Sequence, residues 1–596
     1  MTTVVMLTGI NYKSMKQRPQ HFANYFGKIN LKVLYINIYD YNKLLKREIN
    51  NVTKESDLYG KIFKKNKEDI WVLDEVKENR NDRNVLSLLI EKINEFTNDE
   101  LLFLISFPEW LLYISETKKG SLLIYDCLDD WEEFIEDGVI TINKEMVNME
   151  RRLASVADYV LASSNRLYTK MAHFNKNIVY LPNGVWLDDY SVPQDDKYKN
   201  DAYQADKPII FFMGAISEWV DIDLIDYISK NRSDYSYVFV GHQQIKLPPN
   251  DNIFYLGYKE YHELSRYLNS SRVAIIPFKI NKLTSAVTPL KLYEYLASST
   301  PVVSTLMPDI IGLEGVEVCG TKEQFLLKID EIIKLPDIDY KIYSEKSRLT
   351  SLDYRWECLL NIIIDILENN LSKDINTKKY LHRISKKYES HEENIIMLSE
   401  LINIKIFLEE YEDVNELYSK YKNSVEMNFI NVCLSLFETG KEDLAKDLLL
   451  QIMLKNNHDD LIFIKNLLMN KFWECNLRIY LLKASGSHYK ALQYINSMEG
   501  KNLITIGLEI GIYIELFEYS IAYNMLLEND ILGISDLYNF MEFNIINFII
   551  TILIKEGSYY TAEKIALSLC EIEKWSDQAI ELLSDIYLSK ALDESK

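Results

Sequence analysis

The chain has 596 residues, 47% hydrophobic and 12% aromatic, which excludes a disordered protein and leaves material for several packed cores. At roughly 150 residues per domain, the length fits three or four domains. A formal net charge of -22 argues against nonspecific binding to DNA, RNA or anionic lipid, while leaving room for a local basic pocket.

In chain order, the N-terminal "MTTVVMLTGINYKSMKQRPQ" has neither a basic n-region nor a cleavage site and does not read as a signal peptide. Short, almost continuously apolar runs follow: Val4–Gly9, Lys32–Ile38, Asp69–Leu73, Leu101–Phe107, Ser121–Cys127, Asp158–Ser164 and Ile178–Asn183. Helical patterns such as Lys144–Val156 lie between most of them. Such runs predict strands of a parallel sheet covered on both faces, hence a first doubly wound domain over 1–187. The polar, aperiodic stretch Asp188–Pro208 reads as a linker. The alternation restarts with Pro208–Ala215, Tyr235–Gly241, Ile253–Tyr258, Val273–Phe278, Pro301–Thr305 and Val316–Gly320, giving a second Rossmann-like domain over 188–373.

After about residue 374 the strand signals stop and an all-α domain over 374–596 is expected. A weak echo recurs around Glu409, Thr439, Ser485, Leu516 and Glu556, each with a small or β-branched residue: Val414, Ala445, Ala491, Ala522 and Ala562. These lie 31, 46, 31 and 40 residues apart, which predicts degenerate tetratricopeptide-like helix pairs, the alternative being an ordinary α-domain. The apolar run Ile545–Ile554 is about half the ~20 residues of a membrane span and reads as a buried helix. Cys127, Cys319, Cys358, Cys433, Cys475 and Cys570 form no CxxC pair and read as reduced, mostly buried thiols of a cytoplasmic protein without structural zinc.

Two doubly wound halves should bind ligand in the crevice at the carboxyl ends of their strands. The stretch "TPLKLYEYLASSTPVVST" supplies candidate chemistry there. Thr288 is expected to cap a helix and Pro289 to occupy its first position, leaving the amides of Leu290 and Lys291 free. A helix N-terminus with free amides and a lysine favours phosphate, and Glu294, one turn on, can accept two ribose hydroxyls. The plain alternative is an i,i+3 ion pair on a helix surface.

Other segments fall in a matching order: "QRPQH" (Gln17–His21), "YDCLDDWEEF" (Tyr125–Phe134), "LPNGVWLDDY" (Leu181–Tyr190) and "FMGAISEWVDIDLI" (Phe212–Ile225). With the stretch above, this set resembles the GT-B glycosyltransferases of the broad family 4 group, and most of all their bacterial surface-polysaccharide branch, including teichuronic-acid-type enzymes. The resemblance covers about residues 1–373. It implies two Rossmann-like domains, a nucleotide-sugar donor held mainly by the second, and no further cofactor or metal. The acceptor it implies is a surface polysaccharide, a lipid-linked glycan or a glycoprotein. By motif position, Glu294 is the expected ribose carboxylate, with Lys291, Leu290 and Thr288 at the diphosphate. Gly9, Gly214, Ser217 and Gly241 lie on donor-facing loops, and Arg18 faces phosphate or acceptor. Asp126, Asp129 and Asp130 are candidates for a base or for holding sugar hydroxyls. An inverting reaction would use one of them as base, whereas retention, general in that family, requires none.

The chain also departs from the family pattern. The first of the two glutamates usual there is replaced by Ala286, and "GAISEWVDIDLI" carries neither the usual Arg nor the usual Lys. These departures favour the competing expectation, an inactive scaffold that binds protein partners through its helical repeats. The retained Lys291 and Glu294 favour an enzyme, cytoplasmic or peripheral at the inner face of the membrane.

Overall fold

The computed structural model describes residues 2–38, 43–67, 69–73, 84–114, 119–136, 145–190, 207–368, 376–421, 428–455, 461–531, 537, 541–555, 558–570 and 576–594. They fall into two compact units, Met1–Met146 with Leu153–Thr377, and Lys378–Lys596 with Val147–Arg152.

The first unit holds two sheets. One comprises β1 (Thr2–Thr8), β2 (Lys32–Asn37), β3 (Phe63–Lys67), β4 (Ile70–Leu73), β5 (Glu100–Ile105), β6 (Leu122–Cys127), β7 (Tyr159–Ala162) and β8 (Ile178–Tyr180), in the order β3-β4-β2-β1-β5-β6-β7-β8. The other comprises β9 (Ile209–Met213), β10 (Ser236–Val240), β11 (Ile253–Tyr255), β12 (Val273–Ile276), β13 (Val302–Thr305) and β14 (Val316–Cys319), in the order β11-β10-β9-β12-β13-β14. Every pairing is parallel except β3 with β4. All the strands expected from apolar runs are present. The edge strand β3 was not expected, because "FKKNK" offers a single apolar side chain. In each sheet the strand order reverses beside the first strand, so the crevices open beyond β1/β5 and β9/β12. Most of the expected linker, residues 191–206, lies outside the described residues, as does Lys144 at the start of the helix Glu145–Val156.

The chain crosses between the two sheets twice, side by side. The Val185 amide donates to the Tyr354 carbonyl at 2.8 Å, and the Trp356 amide to the Val185 carbonyl at 3.1 Å. Gly184 permits this approach, since a Cβ there would lie 2.6 Å from the Tyr354 carbonyl oxygen. The helices Trp356–Leu359 and Asn361–Leu367 then pack Trp356, Leu360, Ile363 and Ile366 into the first domain's core beside Phe22. This corrects the expected boundary at 373: residues 356–367 belong with the first domain's core. An apolar helix face shows that burial is needed, not which sheet provides it.

The second unit is helical among its described residues. Five helix pairs stack in turn: Ile395–Leu408 with Tyr411–Tyr421, Phe429–Glu438 with Glu442–Lys455, Trp473–Ala484 with His488–Asn496, Leu503–Glu515 with Tyr519–Glu528, and Phe543–Lys555 with Tyr559–Cys570. Val414, Ala445, Ala491, Ala522 and Ala562 sit on the second helices, each with no exposed surface. In four turns a residue with positive φ lies five positions earlier: Glu409, Gly440, Gly486 and Phe517. The left-handed residue ends one helix, and the small residue lets the next lie close against it. An inserted helix, Leu461–Met469, accounts for the long second step.

The run Ile545–Ile554 lies in the helix Phe543–Lys555, where Ile545, Ile546, Ile549 and Ile550 are fully buried. Among the described residues no helix is long and apolar enough to cross a membrane. All six cysteines are free, but only Cys127, Cys319 and Cys433 are buried, and Cys358 is exposed.

Candidate active site

A cavity of about 430 Å³ opens at the carboxyl ends of β9 and β10 and is closed on the other side by the loop after β1. Gly214 and Gly241, directly after β9 and β10, form part of its wall with φ of 126° and 137°. A Cβ on Gly241 would lie 2.1 Å from the Gly214 carbonyl oxygen, so two backbones meet where a side chain cannot fit. A Cβ on Gly214 would lie 2.6 Å from the Lys291 ammonium.

The helix Leu290–Ala297 points its start into the cavity, with Pro289, Leu290, Lys291 and Glu294 all lining it. Here the expected capping fails. Pro289, not Thr288, is the N-cap, and no side chain caps the helix. The Thr288 hydroxyl donates instead to the Ser163 carbonyl, and Asn183 Nδ2 donates to the Thr288 carbonyl at 2.6 Å. Thr288 therefore ties this helix start to the first domain and does not line the cavity. The first-turn amides keep their need for a partner.

Lys291 and Glu294 share a face, as three-residue spacing requires, but no salt bridge joins them, so the surface-pair alternative does not hold. The Lys291 ammonium lies 4.4 Å from the Phe212 ring centre and 4.8 Å from that of Phe278. Burial among these rings lowers its pKa to about 7, against the opposing pull of Glu294. Glu294 is buried, and its Oε1 has no hydrogen-bond partner among the described residues. Burial raises its pKa to about 7, opposed by the neighbouring hydroxyls of Tyr190 and Tyr261 and by the charges of Lys16 and Lys291. A buried carboxylate oxygen without a partner is costly unless something else donates to it.

The acidic candidates separate. Arg18 grips Asp126 through Nε and Nη2, at 3.0 and 2.9 Å, and its Nη1 donates to the Pro182 carbonyl at 2.9 Å. Both side chains are buried, so Arg18 is a brace between the first helix, β6 and the crossover, and the expectation that it faces phosphate or acceptor is corrected. Asp130 is buried between Lys170, at 2.6 Å, and Arg166, at 3.0 Å. Burial pushes its pKa up, but these two cations outweigh it and hold it well below the usual carboxylate range. Neither Asp126 nor Asp130 lines the cavity; Asp129 does. Gly9 does not line the cavity, and a Cβ there would meet the Phe107 ring at 2.9 Å. Ser217 is also buried away from the cavity, and its hydroxyl donates to Gln244.

Lys16, Tyr190 and Tyr261 are the neighbours of Glu294 that sequence reasoning missed. The signal for Lys16 was its place in the loop after the first strand, at the point where strand order reverses. The tyrosines carried no local signal among the 41 in the chain.

Residues 194–348 match the family described as glycosyl transferases group 1. The chain is 24% identical over 282 residues to TuaH of Bacillus subtilis (strain 168), named as a teichuronic acid biosynthesis glycosyltransferase, covering 44% of this chain and 70% of that one. Among solved structures it resembles sucrose-phosphate synthase from Thermosynechococcus elongatus (TM-score 0.48, 11% identity, 62% of this chain and 99% of that one). It also resembles Anabaena HepE, solved with UDP-glucose (TM-score 0.46, 12% identity, 62% and 99%). Two parallel α/β domains with a crevice between them and a returning C-terminal helix make the GT-B fold. With a group 1 glycosyltransferase domain built on that frame, the chain is a glycosyltransferase followed by an all-helical region.

Proposed function

We propose that the chain transfers a sugar from a nucleotide-sugar donor to a growing surface polysaccharide or its lipid-linked precursor, with retention of configuration and without a metal ion. The observation that carries this reading is the buried, unpartnered Oε1 of Glu294 one turn beyond an uncapped helix start and Lys291, all in one cavity. A carboxylate accepts a pair of ribose hydroxyls, while amides and an ammonium accept a diphosphate. The leaving diphosphate develops charge as the glycosidic bond breaks, and fixed donors beside it lower the barrier. Asp129 also lines the cavity, and in this reading it orients sugar or acceptor hydroxyls. The acceptor class is inferred from the likeness to TuaH.

The test is turnover of UDP-, GDP-, ADP- and CMP-sugars by the full chain, with and without crude cell-surface glycan, followed by nucleotide release. Release from one donor, lost in Glu294→Ala and Lys291→Ala, supports the reading. Equal release by both variants and the wild type contradicts it. The anomeric configuration of the product, read by NMR, tests retention.

A further inference from the structure

The loop after β9, Gly214 to Val220, contains no lysine or arginine and brings no cation to the proposed donor site. Arg18 is committed to Asp126. Lys279 is exposed and does not line the cavity. Lys291 sits at the helix start, and Lys259 also lines the cavity, with its ammonium 5.6 Å from the Tyr267 ring centre, so the second domain offers two lysines to a ligand that carries more than one negative charge.

Across the cavity stands Lys16, on the loop that follows β1. Its ammonium lies 4.1 Å from the centre of the Tyr261 ring, a cation–π contact, and Tyr261 is one of the two tyrosines beside Glu294. The side chain is 22% exposed and meets Asp189 at 3.4 Å, a loose, partly solvated pair that an incoming anion can displace. Burial lowers the pKa of Lys16, against the pull of Asp189 and Glu294. The loop is held in place from behind. Gln20 Nε2 donates to the carbonyls of Asn11, at 3.1 Å, and Met15, at 3.4 Å, while the Gln17 amide donates to Gln20 Oε1 at 3.1 Å. Arg18, two residues on, is fixed by its buried pair with Asp126. Lys16 is thus presented to the cavity from a braced loop and needs little ordering to act there.

We infer that Lys16 reaches across the cleft to bind the donor's diphosphate, opposite Lys291, and supplies the positive charge that the loop after β9 lacks. The inference rests on the nucleotide-sugar reading of the cavity.

The experiment is calorimetric titration of the full chain with UDP, GDP and ADP and with the matching nucleosides, for wild type, Lys16→Met and Lys16→Arg. In Lys16→Met, affinity for the diphosphate that the wild type binds should fall at least about tenfold, ~1.4 kcal/mol, with the nucleoside unaffected. Lys16→Arg, which keeps the charge, should restore most of the loss. Undiminished diphosphate binding in Lys16→Met overturns the inference and leaves the nucleotide site standing. Equal losses for diphosphate and nucleoside also overturn it, since they mark damage to the whole cavity. A wild type that binds none of the three diphosphates overturns the site reading, and this inference with it.

Discussion

The two α/β domains end their strands in opposite ways. In the first, the acidic residues after β6 are satisfied from within: Asp126 by Arg18, and Asp130 by Arg166 and Lys170. In the second, the corresponding region keeps an unpartnered Glu294 oxygen, a lysine over aromatic rings, an uncapped helix and Gly241, where a side chain cannot stand. The same architecture commits its charges to rigidity in one half and leaves them open at the candidate site in the other. Charge pairing, more than charge count, separates the brace from the binding site.

The sharpest way to break this comparison is to remove the brace. Arg18→Met leaves Asp126 buried without its partner and should destabilise the first domain by about 3–5 kcal/mol in chemical denaturation. Glu294→Ala, by contrast, should leave stability unchanged or higher. Next comes Gly214→Ala. Its Cβ would meet the flexible end of Lys291 and would hold a backbone conformation that L-residues avoid. The lysine end moves at little cost to the fold, so the main loss should be donor affinity, about tenfold or more by titration, ~1.4 kcal/mol.

A smaller effect divides Glu294 from Lys291 by pH. The carboxyl's pKa is raised from 4.5 to about 7 on folding, so ionising it costs stability as pH rises from 4.5, in full above about 7. Glu294→Gln should therefore be more stable than wild type at pH 8, by about 1–3 kcal/mol, and match it near pH 4. The ammonium's pKa is lowered from 10.5 to about 7, so its cost grows as pH falls from 10.5 and is complete below about 7. Lys291→Met should therefore gain stability most at pH 6, the opposite profile, by thermal unfolding across pH. The smallest effect is expected for Asp189→Asn. It breaks a partly exposed pair with Lys16 and should change stability by less than about 1 kcal/mol.

Much of the fold was legible because its strands are continuous apolar runs that only a sheet covered on both faces accommodates. The same principle hid β3, whose lysines look like a loop, and misassigned the helices after Trp356, whose apolar faces do not name their partner sheet. The helix pairs were visible through Val414 and four alanines, since close helix approach demands a small side chain at one point per pair. Within the site, Lys291 and Glu294 were legible from spacing on one helix. The fates of Arg18, Asp126 and Thr288 were not. Arg18 and Asp126 lie 108 positions apart, and Ser163 and Thr288 lie 125 apart, and no local pattern reports such pairing. Lys16 was missed for the same reason, because its companions Tyr261 and Glu294 come from the other domain.

The most direct test is a crystal structure of the full chain soaked with the nucleotide sugar that the turnover panel selects. The account predicts ribose hydroxyls on Glu294 and the diphosphate between Lys291 and the amides at the start of its helix. A nucleotide bound elsewhere, with the Glu294 oxygen still unpartnered, would contradict it.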